Sequence, residues 1–179
     1  MTELNEQNPA KPPAMVRAAC FEGVVWIRVE SRGNYLSSGP VKKFVLAMIN
    51  RGHKRFVVDL AACDHMDSTF MGTLAGISQK LGHQEQGLLT VINVRPRNME
   101  LLENLGLHLL FRVEALADGE KTPAESGAEL MEIPMAENPD KGIVMAAHEA
   151  LIAANPANAA RFQDVLDYLG KDTGASSPS

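Results

Sequence analysis

Apolar positions along the chain fall into short blocks whose repeat alternates between about two residues and about three and a half. Residues 24–30 (VVWIRVE) are rich in β-branched and aromatic side chains with partial alternation, which predicts a strand. Residues 16–20 (VRAAC) predict a shorter one. After a polar loop (31–39, SRGNYLSSG), Val41, Phe44, Val45, Met48 and Ile49 recur at helical spacing. Pro40 suits the first turn of that helix, serines before it can cap, and Gly52 stops it, so a helix is expected near 40–50. Phe56–Leu60 is apolar apart from Asp59, the pattern of a central strand buried on both faces. Phe70, Met71, Leu74, Ile77 and Leu81 form a stripe from Ser68 to Gly82, predicting a helix near 68–81. A strand at 88–94, a helix at 97–105 opened by Pro96 and closed by Gly106, and a short strand at 109–113 complete the series. Strands alternating with helices at short intervals argue for an open α/β sheet covered by helices.

The pattern changes after Val113. Residues 114–137 begin as a polar stretch punctuated by Gly and Pro, a linker or surface excursion, with a further strand conceivable in ELMEIPM. Two helix-start signals follow, Asn138-Pro139 and Asn155-Pro156, each an Asn cap followed by a Pro suited to the first turn. They predict a helical hairpin over about 138–170, with Val144, Leu151, Phe162, Leu166 and Leu169 too many apolar side chains to leave in water. Residues 1–14, polar with three prolines, and 171–179 read as flexible tails.

Composition narrows the functions. The 179 residues are 45% apolar and 22% charged, an ordinary globular balance, and the net charge of −5 argues against nucleic acid as a direct partner. No apolar run reaches the length of a membrane span, and the N-terminus lacks a basic region followed by an apolar stretch, so no membrane partner is expected. Cys20 and Cys63 form no ligand spacing and read as reduced, buried thiols in a cytoplasmic protein. The five histidines pair with no Cys or carboxylate at ligand spacing, so neither a metal nor a cofactor is expected.

The stretch FVVDLAACDHMDSTFMGTL, with GLLTVINVRPRNMELLENLGLHLLFRV after it, resembles the STAS domains of anti-sigma-factor antagonists. In those proteins a strand of the VVDLS type leads into Met-Asp-Ser-Ser/Thr at a helix start, and here Asp67-Ser68-Thr69 lies on that signature. The resemblance runs from about Val16 to about Val113, giving a STAS-like domain over 15–113. It implies a mixed sheet of four to five strands with helices packed mainly on one face, to which the hairpin is a C-terminal helical extension. It also implies a partner, a serine-kinase anti-sigma factor, and a target of that kinase, Ser68, with Thr69 as second choice. The partner surface it suggests comprises Asn34, Asp67, Ser68, Thr69, Gly72, Thr73 and Gly76. A homodimer is also compatible. Where the family often carries an acidic residue in the loop after the second strand, Asn34 stands here, and Phe70-Met71-Gly72 is bulkier than the usual Gly-Leu-Gly.

Physical chemistry suits a modifiable serine at this place. A helix N-terminus presents unpaired N–H groups and the positive end of the dipole, so the domain tolerates a phosphate there. The same phosphate adds about −1.5 to −2 charges next to Asp64 and Asp67, which a docked partner would meet. Gly72 and Gly76, one turn apart and opposite the apolar stripe, cost the helix about 1 kcal/mol each relative to Ala, which makes sense where another backbone approaches. Structurally, Ser68 could instead be a plain N-cap, worth about 0.5–2 kcal/mol, and Gly72 could pack on the chain's own 31–39 loop.

An enzyme is not expected. Ser68 lacks a G-x-S-x-G elbow, and His65, three residues before it, is not aimed at it. The remaining rival is a non-phosphorylated STAS-like adaptor or scaffold whose hairpin mediates assembly.

Overall fold

The computed structural model describes residues 10–172. Strands β1 (Met15–Phe21) and β2 (Val24–Gly33) form an antiparallel hairpin, turned by Glu22 and Gly23, both at positive φ. Helix α1 (Tyr35–Asn50) leads to β3 (Arg55–Asp59) and β4 (Cys63–Met66), and then to helix α2 (Ser68–Gly82). After it come β5 (Leu88–Ile92), α3 (Pro96–Asn104), a 3-10 turn at Leu107–Leu109 and β6 (Arg112–Glu114). The described residues close with β7 (Met131–Ile133), α4 (Lys141–Ala154), a 3-10 turn (Pro156–Asn158) and α5 (Ala159–Asp172). The sheet order is β6-β5-β3-β2-β1-β7, with β4 paired to the far end of β2. β2, β3, β5 and β6 run parallel and both contacts of β1 are antiparallel, so the sheet is mixed, as expected.

Register explains the single helix-covered face. Val16 pairs with Val29, Ala18 with Ile27, Val25 with Phe56, Ile27 with Val58, Phe56 with Leu89 and Val58 with Val91. All of these are buried, one row per residue step of two, and they meet Val41 and Val45 of α1 and Leu74, Ile77 and Leu81 of α2 in one core. The intervening row, with Arg17, Arg28, Trp26 and Val57, lies on the opposite face. β3 is therefore less enclosed than a strand buried on both sides: Val57 is only half-buried. The segment between β6 and β7 connects opposite edges of the sheet and passes over this face, where Thr122, Pro123 and Ala124 sit against Trp26, Arg28 and Asp59.

Three boundaries differ from expectation, each for a local reason. α1 starts at Tyr35 because Asn34 caps it, its side chain accepting from the amides of Leu36 and Ser37 while Ser37 Oγ reaches the Asn34 amide. Pro40 thus lies inside the helix. Its missing N–H would orphan the Leu36 carbonyl, which accepts instead from the Ala136 amide at 2.9 Å. The apolar run after Gly106 is a 3-10 turn and not the start of a strand. Gly106, at φ 73°, reverses the chain, Leu107 and Phe111 are buried and Leu109 is 83% exposed, so β6 begins only at Arg112. α4 is capped by Asp140 and not Asn138, Asp140 Oδ1 accepting from the Ile143 amide. Asn155 does cap the following turn, with Pro156 in its first position. The tails anticipated at 1–14 and 171–179 lie mostly outside the described residues; 171–172 close α5.

The two C-terminal helices add a third layer. α2 lies between the sheet and α4, with Leu151 fully buried and Ala147 and Ala150 nearly so. Asn158 closes the corner, its side-chain amide donating to the carbonyls of Leu151 and Leu105. α5 has no fully buried side chain, and Phe162, Leu166 and Leu169 are half-buried.

Candidate functional site

The site is built where β2 and β4 end and two helices begin side by side. The Gly33 carbonyl accepts from the Asp67 amide at 3.0 Å, aligning the two chain ends. Asp67 then joins both helices: Oδ1 accepts from the Phe70 amide at 2.8 Å, capping α2, and Oδ2 accepts from the Tyr35 amide at 2.9 Å, in the first turn of α1. Gly33 is required for this closeness, since a Cβ there would lie 2.5 Å from the Phe70 ring. Below the site, Arg95 donates to the Ala61 carbonyl and pairs with Asp64, which holds the β3–β4 turn. Cys63 is fully buried beside it, and burial pushes its thiol pKa up, whereas Cys20, expected to be buried too, is exposed near the end of β1.

The cap of α2 is thus Asp67 and not Ser68. Ser68 occupies the first helical position with its hydroxyl free of capping duty, and Ser68 Oγ lies 3.0 Å from His148 Nε2 of α4. His148 Nδ1 is 2.7 Å from the Val144 carbonyl, to which it can only donate. In the neutral ring Nε2 is then the acceptor, and the Ser68 hydroxyl donates to it. His148 is 4% exposed, with the Phe162 ring edge-on at 5.0 Å.

Ser68, Gly72, Gly76 and Gln79 follow one line along α2, opposite Phe70, Leu74, Ile77 and Leu81. α4 lies on that line. A Cβ on Gly72 would come 2.2 Å from the Ala147 carbonyl oxygen, one on Gly76 would come 3.7 Å from Ala150 Cβ, and Gln79 Nε2 donates to the Ala150 carbonyl. Gly72 therefore admits the backbone of α4, not the 31–39 loop. Thr69 and Thr73 are buried, Thr73 Oγ1 donating to the Thr69 carbonyl. Asn34 stands at the head of α1, held by its own capping bonds. The structure so gathers Asn34, Asp67, Ser68 and Thr69 at the paired helix starts, and sets Gly72 and Gly76 along the outer side of α2 under α4. His148 lies 80 residues from Ser68, and no local spacing in the sequence announces the pair.

Asp67→Ala is expected to lower stability by about 2–4 kcal/mol, since it removes a charged cap and a charge-assisted bond to the neighbouring helix. Urea unfolding measures this, and a loss confined to a single exposed cap, about 1 kcal/mol, would contradict the bridging role.

Among the described residues no helix is long and apolar enough to cross a membrane, and no cluster of three or more His, Cys, Asp or Glu is placed to hold a metal. No curated protein sequence matches the chain significantly. In fold, the chain is similar to the crystal structure of an anti-sigma factor antagonist from Mycobacterium paratuberculosis, with a TM-score of 0.53 and 18% identity, over 59% of this chain and 89% of that one. It is also similar to the Thermotoga maritima protein tm1081, a candidate anti-sigma factor antagonist, with a TM-score of 0.52 and 15% identity, over 61% of this chain and 92% of that one. The STAS domain family profile matches residues 15–118, more than half the sequence and the whole run from β1 through β6, and the chain belongs to the STAS domain family.

Proposed function

We propose that this protein is an anti-sigma-factor antagonist, a cytoplasmic binding module whose α2 face docks a serine-kinase anti-sigma factor and is switched by phosphorylation of Ser68. The observation that carries the reading is the division of labour at the start of α2. Asp67 caps the helix, which leaves the neighbouring Ser68 hydroxyl unneeded for helix formation. A phosphate there meets the helix amides on one side and Asp67 on the other, so it is compatible with the domain and hostile to a docked partner. The anti-sigma-factor antagonist with which the chain shares its fold supports the same reading.

Catalysis fits the site poorly. His148 Nδ1 faces a backbone carbonyl, not a carboxylate that would stabilise an imidazolium, and α4 covers the glycine line of α2 beside the half-buried Ser68. The same cover is the observation that favours a second reading, a non-phosphorylated adaptor in which α2 serves only as a seat for α4. Incubation of the full chain with the cognate serine kinase and ATP, followed by peptide mass spectrometry, separates them. One phosphate on Ser68 is expected. An unmodified Ser68 under conditions where the kinase phosphorylates a control substrate leaves the adaptor.

A further inference from the structure

α4 sits on the surface that the docking reading requires to be free. We propose that the α4–α5 hairpin is a displaceable intramolecular strap, which occupies the partner face of α2 in the closed state and must lift before Ser68 can be docked upon or phosphorylated. The proposal rests on the docking reading above for its consequence, and on the geometry of α2 and α4 for its mechanism.

The match between strap and surface is made of the smallest possible parts. Ala147 meets Gly72 backbone to backbone, Ala150 meets Gly76, and His148 takes the Ser68 hydroxyl. A partner helix or strand approaching α2 would use the same line of small residues, so strap and partner exclude each other. A phosphoryl group added to Ser68 Oγ would need the space where His148 Nε2 stands at 3.0 Å.

Few large side chains hold the contact. Among the described residues from α4 through α5, Leu151 is the only large aliphatic side chain fully buried, and the other buried residues there are Ala147, Ala150, His148 and, in the turn between the helices, Asn158. α5 contributes no fully buried residue. The strap lies wholly beyond the STAS match at 15–118, and it joins the apolar core of sheet, α1 and α2 chiefly through Ala150 and Leu151, with Ala154 and Phe162 packed beside them. Such a layer is of the kind that opens at lower free energy than the core beneath it. The hinge is at hand: the segment from Ile133 to Asp140 between β7 and α4 carries Pro134 and Pro139 and is held at Ala136 by the Leu36 carbonyl.

The test needs no kinase, so its failure is distinct from failure of the docking reading. Ser68→Cys is made in the full chain together with Cys20→Ser, which removes the exposed native thiol. A bulky maleimide-polyethylene glycol then probes two thiols. Position 68 reports lifting of α4, and the fully buried Cys63 reports unfolding of the core. Position 68 should react about tenfold or more slower than an open peptide thiol, and about tenfold or more faster than Cys63. Adding Ala150→Glu, which sets a charge against Gly76, should speed position 68 by about tenfold with Cys63 unchanged. His148→Ala, a milder release, should act in the same direction. Should Ala150→Glu expose Cys63 as well, His148→Ala decides. The strap is overturned if position 68 and Cys63 react in step, if position 68 already reacts like a free peptide thiol, or if neither release variant that keeps Cys63 protected speeds it. If position 68 behaves as expected and no serine kinase modifies Ser68 in either state, the strap stands and the phosphorylation switch falls.

Discussion

Ser68→Asp is expected to weaken docking of the serine-kinase anti-sigma factor by about 100-fold or more, while lowering stability by only about 1–3 kcal/mol. The binding loss follows from a carboxylate placed, unpaired, in an interface whose other residues are small and whose neighbour is Asp67, a penalty of about 3–5 kcal/mol. The stability cost is that of losing the donor to His148 Nε2, because a negative charge in the first turn gains about 0.3–1 kcal/mol from the helix dipole and proximity to Asp67 takes back a similar amount. Ser68→Ala should keep binding and abolish phosphorylation. Its cost in stability is not that of a lost cap, because Asp67 holds the cap. It is about 1–3 kcal/mol for leaving His148 Nε2 buried without a partner. Thr69→Ala separates the neighbouring hydroxyl, which is buried and a poor phosphate acceptor in the closed state. The measurements are isothermal titration with the kinase and thermal melting. A Ser68→Asp protein that binds as tightly as the parent would remove the switch and leave the adaptor.

Gly72→Ala carries the second large effect. In an isolated helix this change stabilises by about 0.8–1 kcal/mol. Here the new methyl would stand 2.2 Å from the Ala147 carbonyl oxygen and 2.6 Å from its carbon, and backbone of α4 has no rotamer with which to yield. α4 must shift along its whole contact or leave α2, exposing Leu151, Ala147 and Ala150. The expected net loss is about 2–4 kcal/mol, of the order of burying Leu151 and its neighbours. Hydrogen exchange should localise it: faster amides across 141–154, with β2, β3 and β5 unchanged. A Gly72→Ala protein with α4 as protected as the parent would mean that the two backbones do not meet.

Much of the fold is legible in the chain because it is local. A strand such as Val24–Gly33 and a helix such as Ser68–Gly82 announce themselves through the spacing of apolar side chains, which the pleat and the helical turn translate directly into a buried face. Pro and Gly mark ends for equally local reasons. The errors have the same origin. Pro40 reads as a helix start because the residue that accommodates it, Ala136, is 96 positions away and supplies the Leu36 carbonyl with a donor. LLFRV reads as a strand from Leu109 because nothing local says that Gly106 turns the chain and that Leu107 finds the core. β4 is four residues long and has no pattern to detect.

The candidate site divides in the same way. Asp67-Ser68-Thr69 after an apolar strand, and Gly72 and Gly76 opposite the stripe of α2, are properties of adjacent residues, and the sequence alone determines that a hydroxyl stands at a helix start with an outward line of glycine above it. Which of Asp67 and Ser68 caps the helix was decided by α1, whose Tyr35 amide holds the second carboxylate oxygen in place. That the glycine line is covered, and that Ser68 meets His148, was decided only when the chain crossed the helix-free face of the sheet, joined its far edge as β7 and returned α4 over α2. Small residues permit a close approach but do not name what approaches. The occupant is selected by the summed burial and hydrogen bonding of residues up to 80 positions away, which exists only once the tertiary structure has formed.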